Sequence, residues 1–339
     1  MRKLLNTLYV TIPNAYLCKD GETVLVRVEQ ETRLRVPIHT LEGIVCVGIV
    51  SMSPPLMGFC AEHNVGVSFL NDHGRFLARI QGPIHGNVLL RREQFRRADQ
   101  EAESADLARA VLLAKIANSR TSLLRAGREY TSETIDRAAT QLGLSLRLLA
   151  STSSLDGLRG VEGDAAQTYF SVFDELILHQ KEDFFFHARS RRPPLDNVNS
   201  LLSFLYVLLA HDISSALETV GLDPAVGFLH RDRPGRAGLA LDLMEELRPV
   251  LADRLALTLI NRRQVTGSGF TRNESGGVTM SDATRKEVLV AWQLRKQEEV
   301  LHPFLNERIP FGLVPHAQAL LLARHLRGDL DAYPSFIWR

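Results

Sequence analysis

The segment Leu239-Ala240-Leu241-Asp242-Leu243-Met244-Glu245-Glu246-Leu247-Arg248 reads as an apolar helix that carries acids. Asp242 and Glu245 are three residues apart and so share one helix face. Carboxylates among Leu and Met are costly to bury unless something positive pairs with them. Arg248 could supply that charge, and so could a divalent metal. The plain alternative is an amphipathic helix with a wet acidic stripe. His230 ends the apolar run Gly227-Phe228-Leu229 and precedes the basic loop Arg231-Asp232-Arg233-Pro234-Gly235. A lone loop histidine is commonly surface decoration; beside an acidic helix and several arginines it is also a candidate ligand. Glu162 lies in Arg159-Gly160-Val161-Glu162-Gly163-Asp164, at the expected start of a long helix. Gly160 and Gly163 would let another backbone or a DNA strand approach closely. Equally, Glu162 or Asp164 would stabilise a helix N-terminus through its dipole.

Together these residues offer a carboxylate, an imidazole and a second carboxylate. That set suits Mg²⁺ or Mn²⁺ with positions left open for water and a phosphate. A structural zinc site is not expected, because Cys18, Cys46 and Cys60 lack paired spacing. His211-Asp212 is an HD dipeptide without the rest of a ligand set. Gly267-Ser268-Gly269 lacks the strand-to-helix context of a phosphate loop.

The elements that must position these groups change character along the chain. Leu8 to Val10, Ala15 to Cys18, Thr23 to Val28, Arg33 to Val36, Gly43 to Val50, Val65 to Leu70 and Arg75 to Ile80 read as short strands. Lys19-Asp20-Gly21-Glu22 carries the Asp-Gly hairpin signal. Gly43 to Val50 and Val65 to Leu70 are nearly continuous apolar runs, which predicts cover on both faces. Ser53-Pro54-Pro55 can cap and open a helix reaching Cys60 to His63. Asn71 to Gly74 is a turn, Gln81-Gly82-Pro83 breaks the pattern, and Gly86-Asn87 begins another. From Val88 the period is helical, with segments at Ala108 to Ile116, Ser132 to Leu142, Gly160 to Ile177, Leu195 to Ala216, Leu239 to Thr258, Asp282 to Leu301 and Pro315 to Arg327. Phe270 to Thr279 reads as a hairpin around Gly276-Gly277, and the aromatic tail from Tyr333 is expected to dock. The fold class is α+β: a small, β-sandwich-like N-terminal domain over residues 1–82, followed by a larger all-α catalytic domain over 83–339.

Composition narrows the function classes. The 339 residues are 45% hydrophobic and 23% charged, a globular mixture that excludes collagen-like, disordered and coiled-coil chains. No stretch reads as approaching the ~18 apolar residues of a membrane span, and residues 1–6 lack a signal-peptide core. With three cysteines in apolar runs, a cytoplasmic protein with buried thiols is expected. Net charge is +1, but arginines cluster at 91–92, 96–97, 189–192, 231–236 and 262–263. A single cluster is usually a solvated helix face; several of them suit an anionic polymer.

In their order and spacing these pieces resemble the CRISPR-associated integrase family, the universal adaptation protein of prokaryotic adaptive immunity. The resemblance spans the whole chain. It is carried by Leu5-Asn6-Thr7-Leu8-Tyr9-Val10, Val67-Ser68-Phe69-Leu70, Gly86-Asn87-Val88-Leu89-Leu90-Arg91, Arg159-Gly160-Val161-Glu162-Gly163, Arg192-Pro193-Pro194 with Asn197 and Asn199, Gly227-Phe228-Leu229-His230, and Leu241 to Pro249. Its details look like the type I-C branch. The resemblance implies Glu162, His230 and Glu245 as metal ligands, with Asp242 in a supporting catalytic role that it could exchange with Glu245. Tyr206 and Arg233 fall where the family often has a tyrosine and a basic residue. It implies a Mg²⁺- or Mn²⁺-dependent endonuclease and integrase that joins 3′-OH ends of captured spacer DNA to the CRISPR repeat by transesterification. Arg189, Arg191, Arg192, Arg231, Arg233 and Arg236 would neutralise the phosphates of that double-stranded DNA. Implied partners are a second copy of the chain, paired through the β domains, and a small ferredoxin-fold adaptation protein. The type I-C look also admits an iron–sulfur processing partner. A dedicated hydrolytic endonuclease and a non-catalytic DNA-binding scaffold are the rival readings.

Overall fold

The computed structural model describes residues 7–29, 31–41, 43–71, 76–80, 82, 88–129 and 131–338. The first part holds strands β1 (Thr7–Val10), β2 (Ala15–Asp20), β3 (Thr23–Val28), β4 (Glu31–Pro37), β5 (Gly43–Val47), β6 (Val50–Met52), β7 (Gly66–Leu70) and β8 (Phe76–Ile80), with helix α1 (Pro54–Glu62) between β6 and β7. They form two four-stranded sheets, ordered β1-β5-β7-β8 and β4-β3-β2-β6. Ile44, Cys46 and Val67 of one sheet share a core with Ala15, Leu17, Val24 and Val26 of the other, as in a sandwich. Val45, Val47 and Leu70 point the opposite way, into the core of the helical region. The continuous apolar runs of β5 and β7 are thus covered on both faces. The Asp20–Thr23 pair closes the expected β2–β3 hairpin, and Gly21 takes the positive φ (56°) the turn needs. Ser53 caps α1, accepting from the Leu56 N–H. β4 has almost no buried face. It is an edge strand, and Leu34 lies exposed. The expected turn at 71–74, the break at 81–83, Gly86-Asn87 and residues 1–6 fall largely or wholly outside the described residues.

The helical part comprises α2 (Val88–Ala98), α3 (Glu101–Glu129), α4 (Glu133–Ser151), α5 (Leu155–Ser171), α6 (Asn197–Thr219), α7 (Gly238–Leu247), α8 (Arg254–Asn261), α9 (Asp282–Gln297) and α10 (Val314–Leu326). Three features correct the sequence expectation. The segment expected to be one helix from 239 to 258 is interrupted by a π-helical stretch, Arg248–Asp253. Pro249 has no N–H to donate to the carbonyl four residues back, so the helix must widen there. The helix carrying Glu162 begins about one and a half turns earlier than expected, where Ser154 accepts from Gly157 N–H. The stretch after α9 leaves the helix as strands β11 (Glu299–His302) and β12 (Glu307–Pro310). The expected β9 (Phe270–Arg272) and β10 (Val278–Met280) hairpin is present.

α6 is long and apolar enough to cross a membrane by length and composition, with a mean hydropathy of 1.5 over its most apolar window. This corrects the expectation that no segment comes near that limit. Its apolarity has another cause: Leu201, Leu202, Leu205, Leu208, Leu209 and Ile213 are buried, and the helix packs on α7 and α10. Nor is the HD dipeptide at its C-terminal half idle. His211 Nδ1 meets Ser68 Oγ of β7 at 2.7 Å, and Asp212 pairs with Lys296 of α9 at 2.8 Å. The three cysteines are free. Burial pushes the Cys46 thiol up to about 12 and the Cys60 thiol up to about 11, so both stay protonated.

Candidate active site

Helix α3 packs on both α5 and α7, and the three helices bring three side chains to one place. Glu162 lies in the middle of α5, so the helix-dipole reading of this residue fails. Glu245 comes from α7 and is 3% exposed. Between them stands Lys115 of α3, which carries no signal of its own in the sequence. Its Nζ pairs with Glu162 Oε1 and, at 2.8 Å, with Glu245 Oε2. The other Glu245 oxygen pairs with Arg248 at 2.7 Å. Burial alone would push the Glu245 carboxyl up, but the Arg248 and Lys115 cations outweigh it and hold it down, to about 2. Glu245 is therefore a permanent anion. The wet acidic stripe is excluded as well, since Asp242 and Glu246 are 2% and 1% exposed.

Asp242 does not reach the lysine. Its carboxylate accepts the N–H groups of Phe228 (2.6 Å), Leu229 (3.0 Å) and His230 (3.0 Å), and His230 Nδ1 stands 2.6 Å from Oδ1. Arg159 of α5 clamps the same loop from outside, donating twice to the Leu229 carbonyl. Packing the loop this tightly requires Gly227: a Cβ there would lie 2.6 Å from the Gly238 backbone and 2.8 Å from Asp242 Oδ2. Because Asp242 accepts, the ring donates from Nδ1, and in the neutral imidazole Nε2 then carries the lone pair a metal ligand needs. The two acids therefore have different partners. Asp242 orients the imidazole, while Glu245 faces the cation.

Beside the carboxylates lies a second, partly buried set. The Tyr206 ring is flanked by the guanidiniums of Arg248 and Arg189, 4.9 and 5.2 Å from its centroid. Its hydroxyl donates to Asp253 at 2.7 Å, and Tyr169 donates to the other Asp253 oxygen at 3.2 Å. Burial pushes Asp253 up to about 6 against those bonds and Arg248. The π-helical stretch puts Arg248 and Asp253 at its two ends, one toward Glu245 and the other toward Tyr206.

The six candidate DNA-contacting arginines divide. Arg189 is committed internally, donating to Asn199 Oδ1 (2.6 Å) and Ser203 Oγ (3.1 Å). Arg231 pairs with exposed Asp156 at 2.8 Å. Arg191, Arg192 and Arg233 are exposed, Arg236 is half-buried, and Arg191 joins Lys115 and Glu162 in lining the cleft. Arg233 lies exposed in the loop that follows His230.

Glu246, next to Glu245, belongs to the frame. Its carboxylate accepts from Gln318 (2.8 Å), the Tyr333 hydroxyl (2.7 Å) and the Phe336 N–H (2.7 Å). Burial pushes it up to about 7 despite these bonds. Asn118 of α3 donates to the Glu246 and Phe336 carbonyls and accepts from the Trp338 N–H. The aromatic tail docks, as expected, and its dock is the back of the helix that carries Glu245.

The donor chemistry fits a hard divalent cation, since two carboxylates from separate helices already share one positive group. Among the described residues, however, no three His, Cys, Asp or Glu side chains gather at one point. The carboxylates converge on Lys115, and the imidazole is held alongside.

Comparison with known proteins agrees with this architecture. Residues 8–294 match the family described as CRISPR associated protein Cas1. A curated relative from Chlorobaculum tepidum, named a CRISPR-associated endonuclease Cas1, is 52% identical, with all of both chains covered. Among solved structures, a CAS1 protein from Thermotoga maritima superposes with a TM-score of 0.83 at 22% identity, covering 97% of this chain and 99% of its own. A casposase bound to integration product superposes with a TM-score of 0.84 at 21% identity, covering 98% of this chain and 94% of its own. The two superpositions confirm a β-rich region followed by a helical domain, and the family match over most of the sequence, with the full-length curated relative, places this chain in the Cas1 family of CRISPR-associated proteins.

Proposed function

We propose that this protein is a metal-dependent DNA integrase of CRISPR adaptation, joining the 3′-OH ends of a captured duplex to the repeat ends of a CRISPR array. The observation that carries the proposal is the convergence of Glu162 and Glu245 on one cation, beside an imidazole whose Nε2 lone pair Asp242 keeps available. Mg²⁺ or Mn²⁺ held by Glu162, Glu245 and His230 would polarise the scissile phosphate and stabilise charge on the attacking or leaving oxygen. The chain's own groups do the rest. Asp242 and Arg159 fix the His230 loop, Arg248 holds Glu245 ionised, and Arg191, Arg192, Arg233 and Arg236 hold the phosphate backbone over the cleft. The 3′-OH attacks phosphorus, one P–O bond forms, one P–O bond of the repeat breaks, and the released 3′ oxygen takes up a proton. With water as the attacker the same site hydrolyses DNA. That is the second reading, favoured by the endonuclease name of the curated relative; the integration product bound by the casposase favours the first. A second copy of the chain, a ferredoxin-fold partner and the type I-C assignment go with this reading and rest on the sequence resemblance; a cytoplasmic setting goes with it too and rests on the unpaired cysteines.

The test uses a supercoiled plasmid carrying leader and repeat, a labelled 3′-OH duplex and the purified protein with its small partner. Label should enter the plasmid with Mg²⁺ or Mn²⁺, and not with EDTA or with Glu162→Ala. Cleavage without joining would favour the nuclease. Undiminished joining by Glu162→Ala would overturn the assignment of the site.

A further inference from the structure

Lys115 has no part in the ligand set proposed above, yet it occupies the centre of the site. It rises from α3 between α5 and α7, and its side chain is 12% exposed. Its ammonium is the only group of the described residues seen to touch both Glu162 and Glu245. It is one of six lysines in a chain otherwise rich in arginine. The choice has physical content. Arginine's planar fork would bind a carboxylate bidentately and stay, whereas lysine is a compact point charge on a flexible stem that can swing away. Arg248 also pairs with Glu245, on the oxygen that Lys115 does not touch. Arg248 reaches Glu162 only by longer-range attraction, so Lys115 is the ion-pair partner that Glu162 and Glu245 share.

We infer that Lys115 is an internal counter-cation, which holds the two carboxylates together in the metal-free protein and must be displaced when a divalent cation binds. The inference rests on the divalent-cation reading of this site. It makes metal uptake an exchange of one cation for another rather than the filling of a bare acidic pocket. Affinity is then lower than two carboxylates and an imidazole would otherwise give, and the metal-free site is preformed. Lys115 is a positioning residue whose effects on stability and on affinity have opposite signs.

The test titrates Mn²⁺ into the purified full chain by calorimetry and by the loss of its free-ion paramagnetic resonance signal, for wild type and Lys115→Met. Parallel urea unfolding is run with and without the ion. Lys115→Met should be less stable than wild type in EDTA but should bind Mn²⁺ on the order of tenfold more tightly, because no resident charge is expelled. A merely structural lysine predicts lower stability with equal or weaker binding, and that result would sink the inference. If wild type binds Mn²⁺ and the variant is equal to it, the lysine inference fails while the metal reading stands. If neither protein binds Mn²⁺, both fall. Should Lys115→Met not fold, amine labelling of the wild type followed by mass spectrometry decides the matter. Lys115 should be protected in EDTA and become reactive with Mn²⁺, while its unchanged protection would overturn the exchange.

Discussion

Asp242→Asn changes one oxygen to an amide nitrogen and disturbs almost nothing else in shape. The consequences follow from the four donors that face the carboxylate. Oδ2 accepts from Phe228 and Leu229, and Oδ1 accepts from the His230 backbone and its Nδ1. Whichever way the asparagine amide is turned, its NH₂ meets two of these donors. Each buried donor left unsatisfied costs about 1–3 kcal/mol, which predicts about 2–6 kcal/mol of destabilisation. One relief is open to the variant. If the NH₂ takes the Oδ1 side, the ring can move its hydrogen from Nδ1 to Nε2 and accept from the asparagine. That relief lowers the stability cost toward the smaller figure and removes the Nε2 lone pair. The variant should thus lose metal affinity by about 10–100-fold, as loss of an orienting carboxylate does elsewhere. Urea unfolding in EDTA reads the first quantity and Mn²⁺ calorimetry the second. Nitrogen chemical shifts of selectively labelled histidine read the tautomer. A variant with wild-type stability and wild-type Mn²⁺ affinity would refute the assignment of Asp242 as the group that orients His230.

Three further outcomes are expected. Glu246, pushed up to about 7 from 4.5 by burial, binds its proton more tightly folded than unfolded. Its contribution therefore falls as pH rises through that window, by up to about 3 kcal/mol. Glu246→Gln should flatten the decline in urea stability between about pH 5 and pH 8, and a variant that declines as steeply as wild type would count against it. Phe336→Ala empties a fully buried site against His302 and Phe311 and loosens the dock on Glu246, for an expected loss of about 3–5 kcal/mol in the same assay. Arg191→Ala with Arg192→Ala should weaken duplex binding at all sequences. It should also reduce the log–log salt slope by about one for each phosphate the two arginines neutralise, measured by fluorescence anisotropy across a salt series. An unchanged slope would place the DNA elsewhere.

The division into a β part and a helical part was legible because strand and helix periods differ and Gly and Pro mark the change. The acids of α7 and the histidine before it were legible as chemistry, since carboxylates inside an apolar run are costly without a reason. What each acid does was not legible. Asp242 and Glu245 sit one turn apart on one helix, and their different partners come from a loop and from α3, far apart in the chain. Lys115 was hidden for a related reason. In the apolar run Ala108 to Ile116 a single lysine reads as a snorkelling side chain, and its acidic partners lie on two other helices. The misplaced start of α5 followed from reading Gly160 as a boundary, although Ser154 before it carries the capping signal. The hairpin at 299–310 escaped because Glu299 to Leu301 extends the helical pattern of α9 without a glycine or proline to break it.

The widened turn at Arg248–Asp253 ties the chemistry of the site to the length of the chain. Each residue advances an α-helix by about 100°. Removing one residue from 249–252 would restore a regular helix and leave α7 where it is, but it would rotate α8 by about that angle. Leu255, Ala256, Leu259 and Ile260, all buried now, would swing toward solvent, and Asp253 would leave Tyr206 and Tyr169. An insertion there would turn the same face the other way. The segment between Glu245 and the tyrosine pair therefore tolerates exchange of side chains far better than any change in their number. Its length is a phase setting that the apolar face of α8 enforces on the site.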